Sequence, residues 1–276
     1  MFTIDAHQHF WKYHPQKHDW IGDDMASIRK DFFPQDLHPI LKDNDVDGTV
    51  AVQAEQTEEE THFLLDLCEK NSFIFGVVGW VDLQSPLIGE RLEYFSQFAA
   101  LKGFRHVLQG EKQRDLFLQK DFLAGLGMLE QYNFTYDLLI LPDQLQYLPE
   151  LLKALPNQRF VIDHLAKPMI STGEIAQWKT EIEKAAEYEN VYCKVSGMVT
   201  EANPGNWTFD NFAPYLDVVA DAFGVKRLMY GSDWPVCTAE ADYTTVINLI
   251  RTYFNTLSVT EQEQIFAGTA KDFYTL

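Results

Sequence analysis

The segment TIDAHQH at residues 3–9 is a short apolar run that ends in two histidines separated by one residue. In an extended strand side chains alternate between the two faces, so His7 and His9 project to the same side, roughly 6 to 7 Å apart along the backbone. Two imidazoles on one face can ligate a metal ion or hydrogen-bond a single substrate oxygen. They can equally pair with carboxylates at a strand end, and these residues alone leave both interpretations open.

Seven further runs of β-branched or aromatic residues follow along the chain, and an amphipathic helical pattern comes after most of them. Together the eight runs cover residues 2–7, 48–54, 74–81, 102–108, 134–140, 158–164, 190–196 and 227–233. This alternation predicts an α/β protein with a parallel sheet, and eight such units close into a (β/α)8 TIM barrel. An open doubly wound sheet is the competing fold, but no glycine-rich phosphate turn follows any strand.

Apolar residues at helical spacing predict helices over residues 58–70, 87–100, 117–131, 145–155, 173–189, 209–223 and 242–257. No linker rich in proline, glycine or serine interrupts the pattern, so residues 1–276 are predicted to form a single domain. The first connection, residues 10–47, is long and rich in aromatic residues. We expect it to fold over the barrel mouth with a helix near 34–44, and a second elaborate loop to follow strand seven over 198–207.

Composition narrows the functional class. Hydrophobic residues make up 46% of the 276-residue chain, which is typical of a protein with a large core, and the formal net charge is −19. Such a charge repels phosphate backbones and anionic lipids, so we expect neither nucleic-acid nor membrane partners.

Cys68, Cys193 and Cys237 are far apart and without CxxC spacing, which indicates no disulfide framework or thiolate zinc site. Without a signal-peptide pattern, we expect a cytoplasmic protein.

Polar residues occupy the carboxyl ends of the predicted strands, where a TIM barrel places its chemistry. They are His7 and His9, Gln53 and Glu55, Arg105 and His106, Asp137, Asp163 and His164, Lys194 and Ser196, and Ser232, Asp233 and Trp234. A single buried histidine or aspartate is most often structural. Four strand ends that each supply one at the same rim predict a functional site.

Short motifs at this rim and in its connections extend over essentially the whole chain: HxH at 7–9, RKDF at 29–32, PxDL at 34–37, VxVQA at 50–54, GFRH at 103–106, VIDH at 161–164 with KP at 167–168, CKxSG at 193–197 and YGSDWP at 230–235. Together they resemble the amidohydrolase superfamily. More narrowly they are similar to its sugar-lactonase branch, which includes L-fuconolactone, L-rhamnonolactone and pyrone-dicarboxylate lactonases. The resemblance implies a TIM-barrel enzyme that hydrolyses a lactone.

One departure from the superfamily concerns metal. Its dinuclear members bring a lysine from strand four and a histidine from strand five to bridge and bind two ions. Here strand four carries Arg105 and His106, and strand five carries Tyr136 and Asp137. We therefore expect no dinuclear centre.

Lactone hydrolysis requires an activated water, a stabilised carbonyl oxygen and a proton for the departing ring oxygen. Asp233 is the candidate general base and acid, particularly if its neighbours tune its pKa towards neutrality; the alternative is a ligand or turn-capping role. His7, His9 and His164 would polarise the carbonyl, either by donating hydrogen bonds or, with Asp233, by holding one divalent ion such as zinc or manganese. Resemblance to lactonases that work without metal favours the version that requires no cofactor.

The remaining rim residues are candidates for substrate binding. Arg105 and His106 would bind hydroxyls or the nascent carboxylate, unless Arg105 forms a rim salt bridge. Lys194 would do the same or neutralise an aspartate. Gln53 and Glu55 suit sugar hydroxyls, although Glu55 could face the next helix. Apolar walls would come from three aromatic side chains that could also serve only for packing, Trp11, Trp20 and Trp234.

Charge favours a neutral, polyhydroxylated lactone as substrate, because only Arg105 of the seven arginines lies at an upper strand end. The first hypothesis is an aldonolactone hydrolase acting on a sugar such as L-fucono- or L-rhamnonolactone. The alternatives are a metal-dependent decarboxylase or hydrolase of a carboxylated aromatic or muconate-type acid, and a non-catalytic sugar-binding barrel. The partner is a small molecule in each case, and a homo-oligomer stays open.

Overall fold

Eight parallel strands form one closed sheet in a computed structural model that describes residues 1–276. Each strand pairs in parallel with the next along the chain: β1 (Ile4–Gln8), β2 (Gly48–Val52), β3 (Ile74–Gly79), β4 (Leu101–His106), β5 (Thr135–Leu138), β6 (Phe160–Ile162), β7 (Val191–Val195) and β8 (Leu228–Tyr230). The last strand meets the first just beyond its end, where His9 N donates to Trp234 O at 2.7 Å and Asp233 N to His7 O at 2.8 Å. The predicted TIM barrel is confirmed.

Helices follow the strands as the apolar periodicity predicts. They are α1 (Pro34–Asp43), α2 (Glu58–Lys70), α3 (Ile88–Phe95), α4 (Lys120–Leu129), α5 (Leu148–Ala154), α6 (Ala176–Ala186), α7 (Phe209–Phe223), α8 (Tyr243–Phe254), α9 (Val259–Glu263) and, after a π-helical turn over Gln264–Gly268, α10 (Thr269–Tyr274). Several are shorter than predicted, because 3₁₀ turns at Leu116–Leu118, Glu130–Tyr132 and Pro142–Tyr147 take up flanking residues. None of the helices is long and apolar enough to cross a membrane.

The barrel interior is filled from below by α10. Small and β-branched side chains from the strands, together with Ala267, Ala270, Phe273 and Tyr274, form an inner core separate from the larger one between sheet and helices. Arg159 Nη1 holds this last helix by donating to Phe273 O at 2.7 Å. The lower end of the barrel is therefore plugged, which leaves the carboxyl ends of the strands as the open end.

A register shift in β1 aims the first histidine. Ile4 pairs with Gly48 and Asp5 with Thr49, but Gln8 pairs with Ala51, so β1 contains one extra residue between Asp5 and Gln8. Such a bulge interrupts the alternation of side chains and re-aims those beside it. As a result both Ala6 and His7 lie inside the barrel, Ala6 in the inner core and His7 above it.

The long first connection packs over the open end. Trp11 pairs with Phe32 in an antiparallel bridge, and a 3₁₀ turn runs over Asp23–Ile28. The side chains of Trp11, Phe32 and Ile28 are buried. This loop therefore contributes its own apolar contacts to the fold.

Candidate active site

A cavity of about 530 Å³ opens at the carboxyl ends of the strands, where the sequence predicts the site. Its wall includes five of the predicted residues at the rim, His9, Glu55, Arg105, His164 and Asp233. Trp20 and Lys17 from the first connection also line it, and Lys17 Nζ lies 2.8 Å from a Glu55 oxygen. The cavity is therefore bounded by strand ends, by the long first loop and by residues of later connections.

Three imidazoles converge on one carboxylate oxygen at the base of this cavity. Asp233 Oδ1 lies 3.3 Å from His9 Nε2, 3.8 Å from His7 Nε2 and 3.9 Å from His164 Nε2. The two histidines of the HxH motif are themselves in contact, with their Nε2 atoms 3.2 Å apart. His7 lies in β1, and the other three groups lie within three residues of the ends of β1, β6 and β8, so the barrel brings together residues more than 150 positions apart in the chain.

A hydrogen bond behind the His9 ring sets its tautomer, whereas His7 lies between charged side chains. His9 Nδ1 lies 2.7 Å from Val52 O, and since a carbonyl oxygen only accepts, Nδ1 carries the proton. His7 Nδ1 lies 3.3 Å from a carboxylate oxygen of Asp163, while Arg105 Nη1 donates to His7 Nε2 at 3.2 Å. When neutral, His9 therefore presents an Nε2 lone pair, and no N–H, to the centre of the site. His7 Nδ1 also lies 3.2 Å from Lys194 Nζ, which can only donate, so a cationic donor faces each nitrogen of this ring.

Strained backbone conformations hold the other two groups of the site, His164 and Asp233. His164 and Asp233 both have positive φ, 53° and 59°, in the left-handed region that non-glycine residues rarely adopt. His164 Nδ1 is hydrogen-bonded to Ser196 Oγ at 2.8 Å. Gly197 is required beside it, because a Cβ there would lie only 2.5 Å from the His164 ring. The backbone cost is thus offset by contacts that turn both side chains into the cavity.

The turn that holds Asp233 rests on a buried carboxylate that sequence reasoning missed. Asp5 Oδ1 accepts from Ser232 N at 2.8 Å, and its Oδ2 accepts from Ser232 Oγ at 2.6 Å and from Tyr243 Oη at 3.0 Å. Burial raises the pKa of Asp5 to about 6, although these donors lower it. The available signal was a charged residue inside the apolar run that opens the chain.

A layer of alternating charges lies directly beneath the histidines. Arg105 Nη1 donates to Asp163 Oδ2 at 3.0 Å, and Arg105 Nη2 donates to Gln53 Oε1 at 3.0 Å and to the Gln53 carbonyl oxygen. Lys194 Nζ lies 2.5 Å from Asp137 Oδ2 and 3.1 Å from Asp163 Oδ1. Asp137, Asp163 and Lys194 are fully buried. Asp163 therefore contacts both cations of the layer, Arg105 and Lys194.

Burial dominates the protonation of the imidazoles. It lowers the pKa of His164 to about 4 although Asp233 and Asp163 raise it, and it lowers the pKa of His7 well below its ordinary value. Burial alone would raise the pKa of Asp233, but His164, His9 and His7 hold it below the ordinary value. The expected tuning of Asp233 towards neutrality is therefore wrong: at neutral pH the site holds a carboxylate beside neutral His7 and His164.

Comparison with known proteins identifies the family of the chain. The sequence profile of the family described as amidohydrolase matches residues 4–276. The chain belongs to this amidohydrolase family. It is 36% identical over 284 residues to L-fucono-1,5-lactonase of Burkholderia multivorans, covering 99% of this chain and 96% of that protein. It is 37% identical to L-fucono-1,5-lactonase of Burkholderia ambifaria, covering 85% of this chain and 81% of that protein.

A solved structure of similar shape is an amidohydrolase from Burkholderia multivorans with bound zinc. It superposes on the chain with a TM-score of 0.96 at 35% identity, and the match covers 100% of both chains. The expected membership of the amidohydrolase superfamily is thus confirmed.

Not every predicted residue of this amidohydrolase reaches the cavity. His106 points outward from β4, where Trp80 Nε1 donates to its Nδ1 at 3.3 Å and its Nε2 lies 2.9 Å from a Glu111 oxygen. The physical reason is strand alternation, which sends Arg105 inward and its neighbour towards α4. Gln53 and Lys194 lie beneath the site and not in its wall, because they bond to Arg105 and to the aspartates.

The aromatic residues divide in the same way. Trp11 is buried with its Nε1 donating to Lys30 O at 2.8 Å, and Trp234 packs edge-on against Phe10 and Phe32. Neither lines the cavity, whereas Trp20 does. Trp11 and Trp234 therefore support the loop that carries Trp20.

Three of the candidate ligands, His7, His164 and Asp233, are grouped closely enough to hold one divalent ion, and His9 is not part of this group. A tetrahedral zinc site with bonds of about 2.0 to 2.2 Å has its ligand atoms about 3.3 to 3.6 Å apart. Asp233 Oδ1 lies 3.8 Å from His7 Nε2 and 3.9 Å from His164 Nε2, slightly wider than that spacing. Ligand atoms of His7, His164 and Asp233 all lie within 4.8 Å of one another. Lone pairs that converge on one point require a cation, either a metal ion or a proton.

Proposed function

We propose that this amidohydrolase hydrolyses a neutral sugar-acid lactone, an aldonolactone such as L-fucono- or L-rhamnonolactone. The observation that carries the proposal is the set formed by Asp233 and the imidazoles of His7, His9 and His164, in a chain 36% identical over almost its whole length to an L-fucono-1,5-lactonase. Of this set His9, His164 and Asp233 line the open cavity together with Arg105, and His7 is fully buried beside them. The number and type of these groups match the three requirements of ester hydrolysis.

Asp233 is the base in this proposal. Its carboxylate takes a proton from a water molecule while the water oxygen forms a bond to the lactone carbonyl carbon. When the tetrahedral intermediate collapses, the bond from that carbon to the ring oxygen breaks, and Asp233 returns the proton to the departing oxygen. The product is an open-chain hydroxy acid. An ionised Asp233 suits the first step, because only the carboxylate can accept the proton.

Positive charge at the carbonyl oxygen is the second requirement. His9 presents a lone pair to the site and His7 Nε2 accepts from Arg105, so neither Nε2 atom can donate a hydrogen bond to that oxygen unless its ring is protonated. Arg105, which lines the cavity, provides a fixed positive charge at its edge. A divalent ion held by His7, His9, His164 and Asp233 would supply Lewis-acid polarisation of the carbonyl. The tautomers thus favour the one-metal version over the cofactor-free version that the sequence favours.

The charges of the cavity wall argue for a neutral substrate. Each of the three lysine or arginine side chains in the wall already has a carboxylate partner: Lys17 with Glu55 at 2.8 Å, Arg105 with Asp163 at 3.0 Å and Lys167 with Glu201 at 3.4 Å. Five carboxylates face these three cations, from Asp19, Asp24, Glu55, Glu201 and Asp233. Such a wall would repel a dicarboxylate but offers many partners to sugar hydroxyls.

An aldonolactone panel tests the function. Purified protein would be assayed by acid release with a pH indicator, once after zinc supplementation and once after treatment with a chelator. We expect at least one six-carbon deoxy-lactone to open well above its spontaneous rate in the zinc-supplemented protein. Rates equal to the spontaneous rate for every lactone in both arms would refute the proposal.

A further inference from the structure

We infer that Tyr274 of α10 is a positioning residue for the catalytic centre, acting through Asp137 and Lys194 on His7. The inference rests on the proposed lactone hydrolysis, which defines the centre that is positioned. Tyr274 lies at the plugged end of the barrel, on the opposite side of the inner core from the cavity wall. It has no direct contact with the groups proposed to touch substrate, so any effect on catalysis must pass through its neighbours.

A continuous line of contacts joins Tyr274 to the site. Tyr274 Oη donates to Asp137 Oδ2 at 2.8 Å and to Oδ1 at 3.0 Å. Asp137 Oδ2 in turn lies 2.5 Å from Lys194 Nζ, and Lys194 Nζ lies 3.2 Å from His7 Nδ1. All four side chains are at most 1% exposed. Solvent is therefore excluded from the whole line, and each link acts at low dielectric, where charged hydrogen bonds are strong.

The tyrosine is a fixed donor. On either side of it, Arg159 Nη1 donates to Phe273 O at 2.7 Å and Lys102 Nζ donates to Thr275 O at 3.0 Å. The ring of Phe273 packs on Tyr192 of β7 with centroids 4.8 Å apart. Because the barrel strands clamp α10 in this way, the hydroxyl of Tyr274 fixes the orientation of the Asp137 carboxylate.

The consequence for His7 lies at its Nδ1 atom, where two groups compete. Lys194 Nζ lies 3.2 Å away and can only donate to it, whereas Asp163 Oδ1 lies 3.3 Å away and can only accept from it. When Asp137 and Asp163 both hold Lys194, the Nδ1 proton of His7 goes to Asp163. His7 Nε2 then keeps its lone pair towards the site. Loss of the Tyr274 hydroxyl would loosen Asp137 and shift this competition.

Tyr274→Phe tests the inference because it removes only the hydroxyl and keeps the buried ring. Its matched control is Tyr136→Phe, since Tyr136 is also fully buried, sits next to Asp137 in β5 and has no hydrogen-bond partner for its hydroxyl. We expect kcat on the best lactone to fall about 3- to 30-fold in Tyr274→Phe with KM nearly unchanged. Tyr136→Phe should keep both constants.

Asp137→Asn provides a second test, because it changes the next residue in the line of contacts. If the two residues act in one line, Tyr274→Phe combined with Asp137→Asn should lose little more than the worse single variant. Losses that multiply would overturn the inference, as would a kcat for Tyr274→Phe equal to that of Tyr136→Phe.

A substrate-free readout separates this inference from the proposed function. Long-range ¹H–¹⁵N spectra of chelator-treated protein report the tautomer of each histidine ring. We expect Tyr274→Phe to shift the ring nitrogens of His7 and to leave those of the distant His38 unchanged, and Tyr136→Phe to shift neither. If wild-type protein opens no lactone, the proposed function fails, but an unshifted His7 in Tyr274→Phe would still refute the positioning role.

Discussion

Replacing Lys194 with methionine should destabilise the fold instead of weakening substrate binding. Lys194 is fully buried and contacts two fully buried carboxylates, Asp137 at 2.5 Å and Asp163 at 3.1 Å. Removing one partner of a buried ion pair leaves uncompensated charge and costs about 3 to 5 kcal/mol. Tyr274, Arg105 and His7 still contact these carboxylates, so we expect the lower end, about 3 kcal/mol.

The loss is measurable by urea unfolding at pH 7. About 3 kcal/mol is a large part of the roughly 5 to 15 kcal/mol that stabilises a typical domain, yet leaves a folded variant to study. Lys184→Met is the matched control, because its partner Glu181 lies 2.9 Å away on the exposed surface of α6, where a pair contributes at most about 1 kcal/mol.

A second variant tests the cause of the loss. Without Lys194, Asp163 keeps its ion pair with Arg105 at 3.0 Å, but Asp137 loses its cationic partner. Asp137→Asn added to Lys194→Met removes this unpaired charge, so the double variant should be more stable than Lys194→Met alone. A stability of Lys194→Met equal to that of Lys184→Met would refute the reasoning. So would a normal stability accompanied by a raised KM, which is the result expected of a substrate-binding lysine.

Three further outcomes follow from particular side chains. His106→Ala should keep kcat and KM within roughly twofold, because this ring faces α4 and not the cavity; a large rise in KM would contradict that placement. Burial raises the pKa of Glu60 to about 8 although backbone N–H groups of Ala54 and Glu55 lower it. The stability that Glu60 contributes is thus fully present below its ordinary pKa of 4.5 and is lost as pH rises through 8. The melting temperature of Glu60→Gln should therefore depend less on pH than that of the wild-type protein. Parallel curves of melting temperature against pH for the two proteins would contradict this. Calorimetric titration should give one zinc ion per chain, bound at least about 10-fold more weakly by His9→Ala; equal affinities would remove His9 from the ligand set.

Much of the fold was predictable because its signals are local. Period-two and helical patterns of apolar residues located all eight strands and the helices after them. The rule that parallel strands present their carboxyl ends together then gathered His7, His9, His164 and Asp233. That rule predicts their proximity at one rim, and in the structure each of the three histidines lies within 4 Å of Asp233 Oδ1.

The depth of a side chain in the barrel and the direction in which it points were not predictable, because both depend on partners far away in the chain. Strand alternation sends Arg105 inward and His106 outward, but which of the two faces the axis depends on the closed barrel. Asp137 lies beneath the site, where it pairs with Lys194 and accepts a hydrogen bond from the Tyr274 hydroxyl of α10. A pairing partner 137 positions away leaves no trace in local pattern.

The bulge in β1 and the left-handed turn at His164 share this limitation. One extra residue between Asp5 and Gln8 re-aims His7, and the sequence shows no glycine or proline that would mark it. Positive φ at His164 is stabilised by its bond to Ser196 and by the space that Gly197 leaves. Both distortions serve the site and could be found only in three dimensions.

Turnover by Asp233→Asn is the most direct test of the central claim that this carboxylate moves the proton in lactone hydrolysis. The asparagine retains the shape and the hydrogen-bonding oxygen but cannot accept a proton from water. With the aldonolactone that wild-type protein opens fastest, we expect kcat to fall at least about 10²- to 10⁴-fold while the variant still binds that lactone. Turnover within tenfold of wild type would contradict the account.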